Sequence, residues 1–312
     1  MSNSFLVSIV IPVYNESGSI GRLIAMLEEE LSIYPNYEVI FVDDGCTDNT
    51  LELIKVQNKK NQSFNFISLS RNFGHQYALK AGLDYANGDC VISMDGDMQH
   101  PIKLVHEMIN LWLKGNHVVY TIRKDDENIS LFKKNSASLF YSLINRISDV
   151  KIMKGTADFR LIDKKVLEII TSMNEAHLFL RGIVPWVGFQ QIGLEYKANE
   201  RFAGTSKYTL IKMIRFAATG ITSFSIKPLQ IATGLGFIIS FLTFVYGIYA
   251  TTISFITNTT VSGWTSLIVS VLFIGGVQLI FIGLIGEYIG KIFIQVKNRP
   301  NYIIKETTVK KL

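Results

Sequence analysis

Short apolar runs rich in Val and Ile alternate, over the first 121 residues, with segments whose apolar residues recur at helical spacing. This alternation is typical of βαβ units, in which helices cover a mainly parallel sheet. It predicts strands at Leu6–Val13, Tyr37–Asp43, Asn65–Ser70, Cys90–Met94 and His117–Thr121. Between them it predicts helices at Ile20–Leu31, Thr50–Gln57, Gln76–Ala86 and Ile102–Lys114. We therefore expect an α/β fold, with ligands bound at the carboxyl ends of the strands.

A different pattern occupies the C-terminal part of the chain. No Asp, Glu, Lys or Arg occurs from Pro228 to Gly286. A membrane-spanning helix needs about 20 apolar residues, so this stretch has room for two. We predict a transmembrane hairpin with spans near Leu229–Ile256 and Trp264–Ile289, joined by the polar turn Thr257–Gly263. The alternative is a helical hairpin buried in a soluble core.

Both flanks of the predicted hairpin are basic, whereas its turn carries no charged residue. The basic residues before it are Arg201, Lys207, Lys212, Arg215 and Lys227, and those after it are Lys291, Lys297, Arg299, Lys305, Lys310 and Lys311. The positive-inside rule then predicts a multi-pass protein of the inner membrane with both termini in the cytoplasm. The chain start has no basic segment before its short apolar run, so we predict no signal peptide. We expect a cytosolic domain over residues 1–226, the hairpin over 227–290 and a basic cytosolic tail over 291–312.

Two further segments, near residues 129–147 and 208–224, combine apolar residues at helical spacing with lysines and arginines. Basic amphipathic helices of this kind often lie in the membrane interface. The alternative for each is an ordinary helix that faces the protein core. The net charge of +5 fits the same picture, because basic residues beside a hairpin favour anionic lipid headgroups over nucleic acid.

The segment SMDGDMQHP places Asp95 and Asp97 two residues apart after the fourth predicted strand. On a strand both carboxylates point to one face, where their repulsion calls for a cation. A divalent ion with oxygen ligands, Mg²⁺ or Mn²⁺, is the simplest candidate, and Gln99 could add a carbonyl oxygen. The ion would keep open positions for phosphate oxygens. The alternative is a solvated acidic loop.

The segment VDDGCTD places Asp43 and Asp44 at the end of the second predicted strand. A carboxylate there can accept a hydrogen bond from a ribose hydroxyl or a base N–H. The alternative is a strand-ending turn. No GxGxxG follows the first strand and no Walker A pattern occurs, which disfavours dinucleotide cofactors and P-loop chemistry. The two cysteines, Cys46 and Cys90, are too few for a disulfide framework.

Several ordered motifs carry a family resemblance. SIVIPVYNE, FVDDGCTDNT, SRNFGHQYALKAGLDYANGD and DGDMQHP resemble the sugar-nucleotide-binding motifs of family 2 glycosyltransferases, which have a GT-A (Rossmann-like) fold. GTADFRLIDKKV, FLRGIVPWVGF, ERFAGTSKY and GITSFSIKPL resemble the polyprenyl-phosphate branch, which includes dolichyl-phosphate mannose synthases and bactoprenol glucosyltransferases. The resemblance covers nearly the whole chain.

The resemblance implies a role for individual residues. The nucleotide pocket would be lined by Pro12, Tyr14, Glu16, Asp44 and Arg71, and the metal would be held by Asp95, Asp97 and Gln99. The acceptor phosphate would be met by Arg123, Lys134, Arg160, Arg201 and Lys207, and catalysis would rest on Asp95, Asp97, Asp158 and Arg201. The chain departs from the family pattern at Cys46, where Ser is usual, and at Lys134, where Arg is common.

The implied reaction is inverting transfer of a sugar, with glucose from UDP-glucose as the leading donor, to undecaprenyl phosphate. A phosphate monoester with a second pKa of about 6 is mostly a dianion at neutral pH, so we expect Asp158 not to act as an essential base. Donors such as GDP-mannose, UDP-GlcNAc or a modified sugar stay open, as does a non-catalytic membrane-tethered nucleotide-sugar sensor. We expect a homo-oligomer such as a tetramer, because Gly286 and Gly290 form a GxxxG pair, and a separate flippase for the product.

Overall fold

The computed structural model describes residues 5–123, 155–176, 178–197, 225–257 and 263–310. In these residues the strands are β1 Val7–Val13, β2 Tyr37–Asp43, β3 Phe64–Leu69, β4 Cys90–Ser93, β5 Val118–Arg123, β6 Thr156–Asp163, β7 Gln191–Tyr196 and β8 Ile304–Thr307. The helices are α1 Ile20–Leu31, α2 Thr50–Lys60, α3 His75–Tyr85, α4 Leu104–Leu113, α5 Lys164–Ser172, α6 Leu180–Trp186, α7 Lys227–Thr257 and α8 Trp264–Val296. The predicted α/β class is confirmed.

The strands and helices predicted in the first 121 residues are all present, with ends shifted by a few residues. The largest shift is at α2, which continues to Lys60 rather than ending at Gln57. Lys59 and Lys60 lie in its last turn, where positive charge interacts favourably with the helix dipole.

The sheet order places the first four strands side by side. The order is β7-β5-β6-β4-β1-β2-β3-β8, and β4, β1, β2 and β3 are mutually parallel. Their carboxyl ends therefore meet along one edge of the sheet, which we call the site edge. Strand β6 runs antiparallel between β4 and β5, so its first residues lie at the site edge. In this register Arg160 pairs with Ser93, the last residue of β4.

Four elements between residues 155 and 197 were not predicted from the sequence, namely β6, α5, α6 and β7. The strand β6 is buried, but Asp158 and Arg160 interrupt its apolar pattern. These two side chains are 3% and 5% exposed and form an ion pair of 3.1 Å. Because burial of a charge requires a partner, the pair makes a polar sequence compatible with a central strand.

Helices cover both faces of the sheet. On one face Leu27 of α1 and Met108 of α4 join the core, and on the other face Leu79 of α3, Val166 of α5 and Ile183 of α6 do so. Complete burial of such a side chain contributes about 1.5–3 kcal/mol. The two apolar layers fix the sheet between them and so fix the positions of the loops at the site edge.

Helices α7 and α8 have 31 and 33 residues. Two segments, Lys227–Tyr249 and Leu267–Val296, are long and apolar enough to cross a membrane, and their most apolar windows are 6% and 0% buried in the protein. The alternative of a buried soluble hairpin is therefore wrong for the described residues. Because water does not favour so much exposed apolar surface, these helices associate with a membrane.

The segment predicted as a basic tail contributes the last strand of the sheet. Strand β8 pairs antiparallel with β3, and Glu306 forms a 2.8 Å ion pair with Lys55 of α2. Val309 is buried against the sheet, and the Tyr302 hydroxyl donates a 2.8 Å hydrogen bond to Asp84 of α3. Residues that follow the membrane hairpin are thus built into the same domain as the chain start.

Several predictions fall on residues outside the described ranges. These are the interface helices near 129–147 and 208–224 and most of the turn between the spans. Lys134, Arg201 and Lys207 also lie outside the described residues. Their proposed roles stay predictions.

Helix α3 packs closely on the sheet at Gly82. A Cβ atom there would lie 2.2 Å from Val10 Cγ1 and 2.9 Å from Val42 Cγ2. We expect Gly82→Ala to destabilise the protein by about 1–3 kcal/mol, because the added methyl group overpacks the helix–sheet contact. Thermal unfolding of the purified full chain in detergent measures this as a lower Tm. At Gly18, no atom lies within 4 Å of a built Cβ, so Gly18→Ala is the matched control. An equal Tm for the two variants would contradict the prediction.

Candidate active site

The loop after β1 carries the first predicted nucleotide-binding residues. Pro12 is buried at the end of β1, Tyr14 is 48% exposed, and Glu16 is half-buried. The backbone N–H of Glu16 donates to Thr50 Oγ1 at 2.9 Å, and its carboxylate accepts from Ser19 Oγ at 2.8 Å. The loop is therefore fixed to α1 and α2, and it leaves the Tyr14 ring open to a ligand at the site edge.

Cys46, which departs from the family pattern, fastens this loop to the next one. Its Sγ accepts a hydrogen bond from the Asn15 N–H at 3.1 Å, and its own N–H donates to Asp43 Oδ1 at 2.7 Å. Burial, followed by the hydrogen bond to Asp43, raises the pKa of the Cys46 thiol to about 12, so the thiol stays protonated. The position of Cys46 therefore accommodates a small residue whose side chain is uncharged because it stays protonated.

Asp44 organises the loop after β3. Its two carboxylate oxygens accept hydrogen bonds from the N–H groups of Phe73 at 2.7 Å and Gly74 at 3.0 Å. Burial raises the pKa of Asp44, and the two amides partly offset that effect. Beside it, Gly45 has a φ of +71°, and a Cβ there would lie 2.6 Å from the carbonyl carbon of Arg71. The loops after β2 and β3 therefore touch through their backbones.

The predicted Arg71 lies on the exposed side of this contact. Its guanidinium carbon is 4.4 Å from the centre of the Phe73 ring. Stacking of this kind orients an arginine while leaving its N–H groups available for an anion. The structure thus brings Pro12, Tyr14, Glu16, Asp44 and Arg71 together at the site edge on three adjacent loops.

The paired-carboxylate loop follows β4. Asp95 Oδ2 is 3.1 Å from His100 Nε2, whereas Asp95 Oδ1 is buried without a hydrogen-bond partner among the described residues. Met98 has a φ of +61°, which turns the chain so that the Gln99 N–H donates to Asp97 Oδ1 at 3.1 Å. Burial raises the pKa of Asp95, but the hydrogen bond from His100 and the charges of His75 and His100 outweigh that effect and lower the pKa below its usual value, so this carboxyl is ionised.

These donors fit a divalent cation. Asp95 and Asp97 offer carboxylate oxygens, Gln99 offers an amide oxygen, and the buried Asp95 Oδ1 has no hydrogen-bond partner among the described residues, although His75 Nε2 lies 3.4 Å from it. The described residues contain no group of three or more His, Cys, Asp or Glu side chains that could hold a metal by themselves. A cation such as Mg²⁺ or Mn²⁺ would therefore need oxygen ligands from a bound substrate, as is usual where phosphates are bound.

Asp158 is the centre of a charged network next to this loop. Its side chain is 3% exposed, and it accepts hydrogen bonds from Arg160 at 3.1 Å and from Arg181 at 3.1 and 2.9 Å. Burial raises the pKa of Asp158, but the hydrogen bond from His75 and the charges of Arg181 and Arg160 hold it well below its usual range. With its oxygens so occupied, Asp158 is a poor proton acceptor.

His75 joins the two acidic groups. Its Nε2 lies 3.4 Å from Asp95 Oδ1 and 3.5 Å from Asp158 Oδ2. Burial lowers the pKa of His75, but the hydrogen bond to Asp158 and the negative charges of Asp95 and Asp158 outweigh it and raise the pKa above its ordinary value. A positively charged imidazole between the carboxylates reduces their mutual repulsion.

Sequence reasoning missed part of this network. Arg181 and Gln76, whose Nε2 lies 3.3 Å from Asp158 Oδ2, were given no role. The signal available for Arg181 was its place in FLRGIVPW, one of the motifs that resemble the family.

A pocket lies beside the network, on the far side of β6 from β4. It is lined by Tyr120, Thr156, Arg160, Arg181, Val184, Pro185 and Gln191. Arg123, at the end of β5, is exposed, and its Nη1 lies 3.4 Å from Gln99 Oε1. The arginines therefore give this side of the site a positive lining that could receive an anion.

Comparisons with known proteins find relatives that match nearly the whole chain. Residues 8–170 match the protein family described as "Glycosyl transferase family 2". Residues 227–292 match the family described as "GtrB C-terminal hairpin". The uncharacterized glycosyltransferase YkcC of Bacillus subtilis is 41% identical over 308 residues, which cover 98% of this chain and 95% of that protein. The SfII prophage-derived bactoprenol glucosyl transferase of Shigella flexneri is 41% identical over 302 residues, which cover 96% of this chain and 98% of that protein.

Among solved structures, the chain is similar to mannosyl-3-phosphoglycerate synthase from Rubrobacter xylanophilus, with a TM-score of 0.46 and 16% identity over 69% of this chain and 71% of that one. The family and fold that the motifs predicted are confirmed by the family match and the full-length relatives: the chain is a GT-A glycosyltransferase that belongs to glycosyl transferase family 2.

Proposed function

We propose that this enzyme transfers glucose from UDP-glucose to undecaprenyl phosphate at the cytosolic face of the membrane. The observation that carries the proposal is the network through Asp158. It joins the paired-carboxylate loop, by way of His75, to Arg160 and Arg181 on the positive side of the site. This connection supports a single centre in which a metal-bound diphosphate would lie beside a second phosphate.

The donor is assigned to the loops after β1, β2, β3 and β4. Tyr14 and Arg71 are exposed there and would face the nucleotide, while Asp44 keeps the loop of Arg71 in place. Asp95, Asp97 and Gln99 would hold Mg²⁺ or Mn²⁺. When bound, the ion supplies positive charge that stabilises the leaving diphosphate. The bactoprenol glucosyl transferase of Shigella flexneri, similar along its full length, supports glucose as the sugar.

The acceptor phosphate is assigned to the arginine-lined side. An oxygen of the phosphate forms a bond to the anomeric carbon of the sugar, the bond from that carbon to UDP breaks, and the configuration inverts. The acceptor dianion needs no base, and Asp158 instead holds Arg160 and Arg181 in place. Arg123, and by the family resemblance Lys134, Arg201 and Lys207, would complete the positive lining that draws in the anion.

The hairpin gives this site access to a lipid. We propose that α7 and α8 both cross the bilayer, with the catalytic domain and both termini in the cytoplasm, because basic residues flank the hairpin. Gly286 and Gly290 allow close helix contact between subunits of a homo-oligomer such as a tetramer. A separate flippase would move the sugar-carrying lipid across the membrane.

The direct test uses the purified full chain in lipid nanodiscs with undecaprenyl phosphate and Mg²⁺ or Mn²⁺. A panel of UDP- and GDP-sugars is supplied, and the lipid is analysed by mass spectrometry. We expect one new mass, that of a glucosyl phosphoryl lipid, with UDP-glucose alone. A product with another sugar would overturn the donor assignment only. Donor binding without any lipid product would favour the non-catalytic sensor.

The metal assignment is tested at Asp97. A bound metal stabilises charge by several kcal/mol, so Asp97→Asn should lower turnover at least about 100-fold. Calorimetry should also record weaker UDP binding in the presence of Mn²⁺. Glu29→Gln, on the exposed face of α1, is the control and should leave both measurements unchanged. Normal turnover in Asp97→Asn would remove Asp97 from the metal site.

The role of Asp158 is tested by the pH dependence of kcat/KM for the lipid. The acceptor is active as a dianion, so kcat/KM should fall as pH drops through about 6, where the phosphate gains a proton. Because the pKa of Asp158 is held far lower, Asp158→Asn should lower the whole profile and leave the acidic limb in place. A limb that disappears in Asp158→Asn would identify Asp158 as a base.

A further inference from the structure

Helix α8 is longer than a bilayer requires. Its 33 residues span about 50 Å, whereas the hydrocarbon core is about 30 Å thick. The uncharged stretch ends at Gly286, and Glu287 and Lys291 follow. The last part of the helix, Glu287–Val296, therefore extends beyond the hydrocarbon toward the catalytic domain. We call this part the stalk.

The end of the stalk holds one exposed loop of the catalytic domain. This loop, Asn174–Ala176, follows α5, and we call it the anchor loop. Gln295 bonds it twice: its Oε1 accepts from the Ala176 N–H at 2.8 Å, and its Nε2 donates to the Asn174 carbonyl at 2.7 Å. Asn298 adds a side-chain bond to Asn174 at 2.6 Å, and Asn301 donates to the Glu175 carbonyl at 3.0 Å.

The anchor loop leads directly to the charged network of the active site. Its Ala176 carbonyl accepts a 2.7 Å hydrogen bond from the hydroxyl of Tyr77, the neighbour of Gln76 in α3. Further along the chain, the Leu180 N–H donates to Gln76 Oε1 at 3.3 Å. The next residue is Arg181, which holds the Asp158 carboxylate. Hydrogen bonds, joined by the peptide links Gln76–Tyr77 and Leu180–Arg181, therefore connect Gln295 to Asp158.

The start of the anchor loop is fixed by a second set of contacts. Beyond the stalk, Tyr302 donates to Asp84 Oδ2 at 2.8 Å, and Asp84 also pairs with the buried Lys80. The ammonium group of Lys80 donates to the Thr171 carbonyl at 3.1 Å, near the end of α5. Residues that follow the membrane hairpin therefore contact the anchor loop directly and also contact α3, whose Lys80 holds the end of α5.

We propose that Gln295 and Asn298 are positioning residues, which fasten the anchor loop to the membrane helix and so hold the Arg181–Asp158 pair at a fixed height above the bilayer. The proposal rests on the proposed function, because only a lipid-linked acceptor presents its phosphate at a fixed depth. The nucleotide sugar arrives from water and meets loops on the other side of the site. Loss of the fastening should therefore affect the acceptor and spare the donor.

The test compares the double variant Gln295→Ala/Asn298→Ala with the unaltered full chain in nanodiscs. A misplacement of about 1 Å costs up to about 100-fold in rate, so we expect kcat/KM for undecaprenyl phosphate to fall between about 10-fold and 100-fold. Calorimetric binding of UDP should be unchanged. Lys297→Ala is the matched control, because Lys297 lies between the two residues in sequence but its ammonium group is 4.1 Å from the Phe293 ring. Gln295→Glu with Asn298 intact keeps the acceptor for the Ala176 N–H and should recover part of the rate.

Hydrogen exchange separates this proposal from the proposed function. In the double variant, amide exchange should rise from the anchor loop through residues 180–183, even if no sugar transfer is detected in any protein. An inactive unaltered chain would count against the proposed function. Three results for the double variant would each overturn the positioning role. These are unchanged amide exchange at residues 180–183, unchanged kinetics with the lipid when the unaltered chain is active, and a loss of UDP binding parallel to the loss of rate.

Discussion

The active site depends on one buried carboxylate. Asp158 lies inside the sheet, where an ionised group is costly unless charged partners surround it, and Arg160, Arg181 and His75 are those partners. Because the arginines come from β6 and α6 and the histidine from α3, the ionised state of Asp158 exists only when these elements are assembled. The charge balance of the site is therefore also a constraint on the packing of the domain.

The same network separates the two halves of the site. The loops after β1 to β3 are held by backbone contacts, such as those of Asp44 with Phe73 and Gly74, and they keep side chains available for a nucleotide. The opposite side is built from side-chain contacts among charged residues. The half held by backbone contacts suits the proposed nucleotide-sugar donor, which has the same structure at every turnover. The half rich in positive charge suits the proposed acceptor phosphate, an anion that must approach the anionic donor.

The two parts of the domain differ in how well their sequence predicts them. Strands β1 to β5 are apolar, β-branched runs, so the local pattern of the sequence was sufficient to predict them. Strand β6 has Asp158 and Arg160 in its centre, and the charge of Asp158 is balanced only after folding, by Arg160 and by residues of other elements. Likewise IKET, the sequence of β8, has no apolar run, and its pairing with β3 joins residues far apart in the chain. Arg181 was missed for a related reason, because its partner lies on another element.

The position of β8 has a consequence for biogenesis. The edge of β3 is covered by residues that follow both apolar helices, so the ribosome must synthesise the hairpin before the sheet can be completed. Until then, β3 presents the unpaired N–H and C=O groups of an edge strand, a state prone to wrong pairing. Domains generally begin to fold from the N-terminal side during synthesis. The catalytic domain of this protein therefore reaches its final form after the hairpin has been made, which links maturation of the enzyme to its arrival at the membrane.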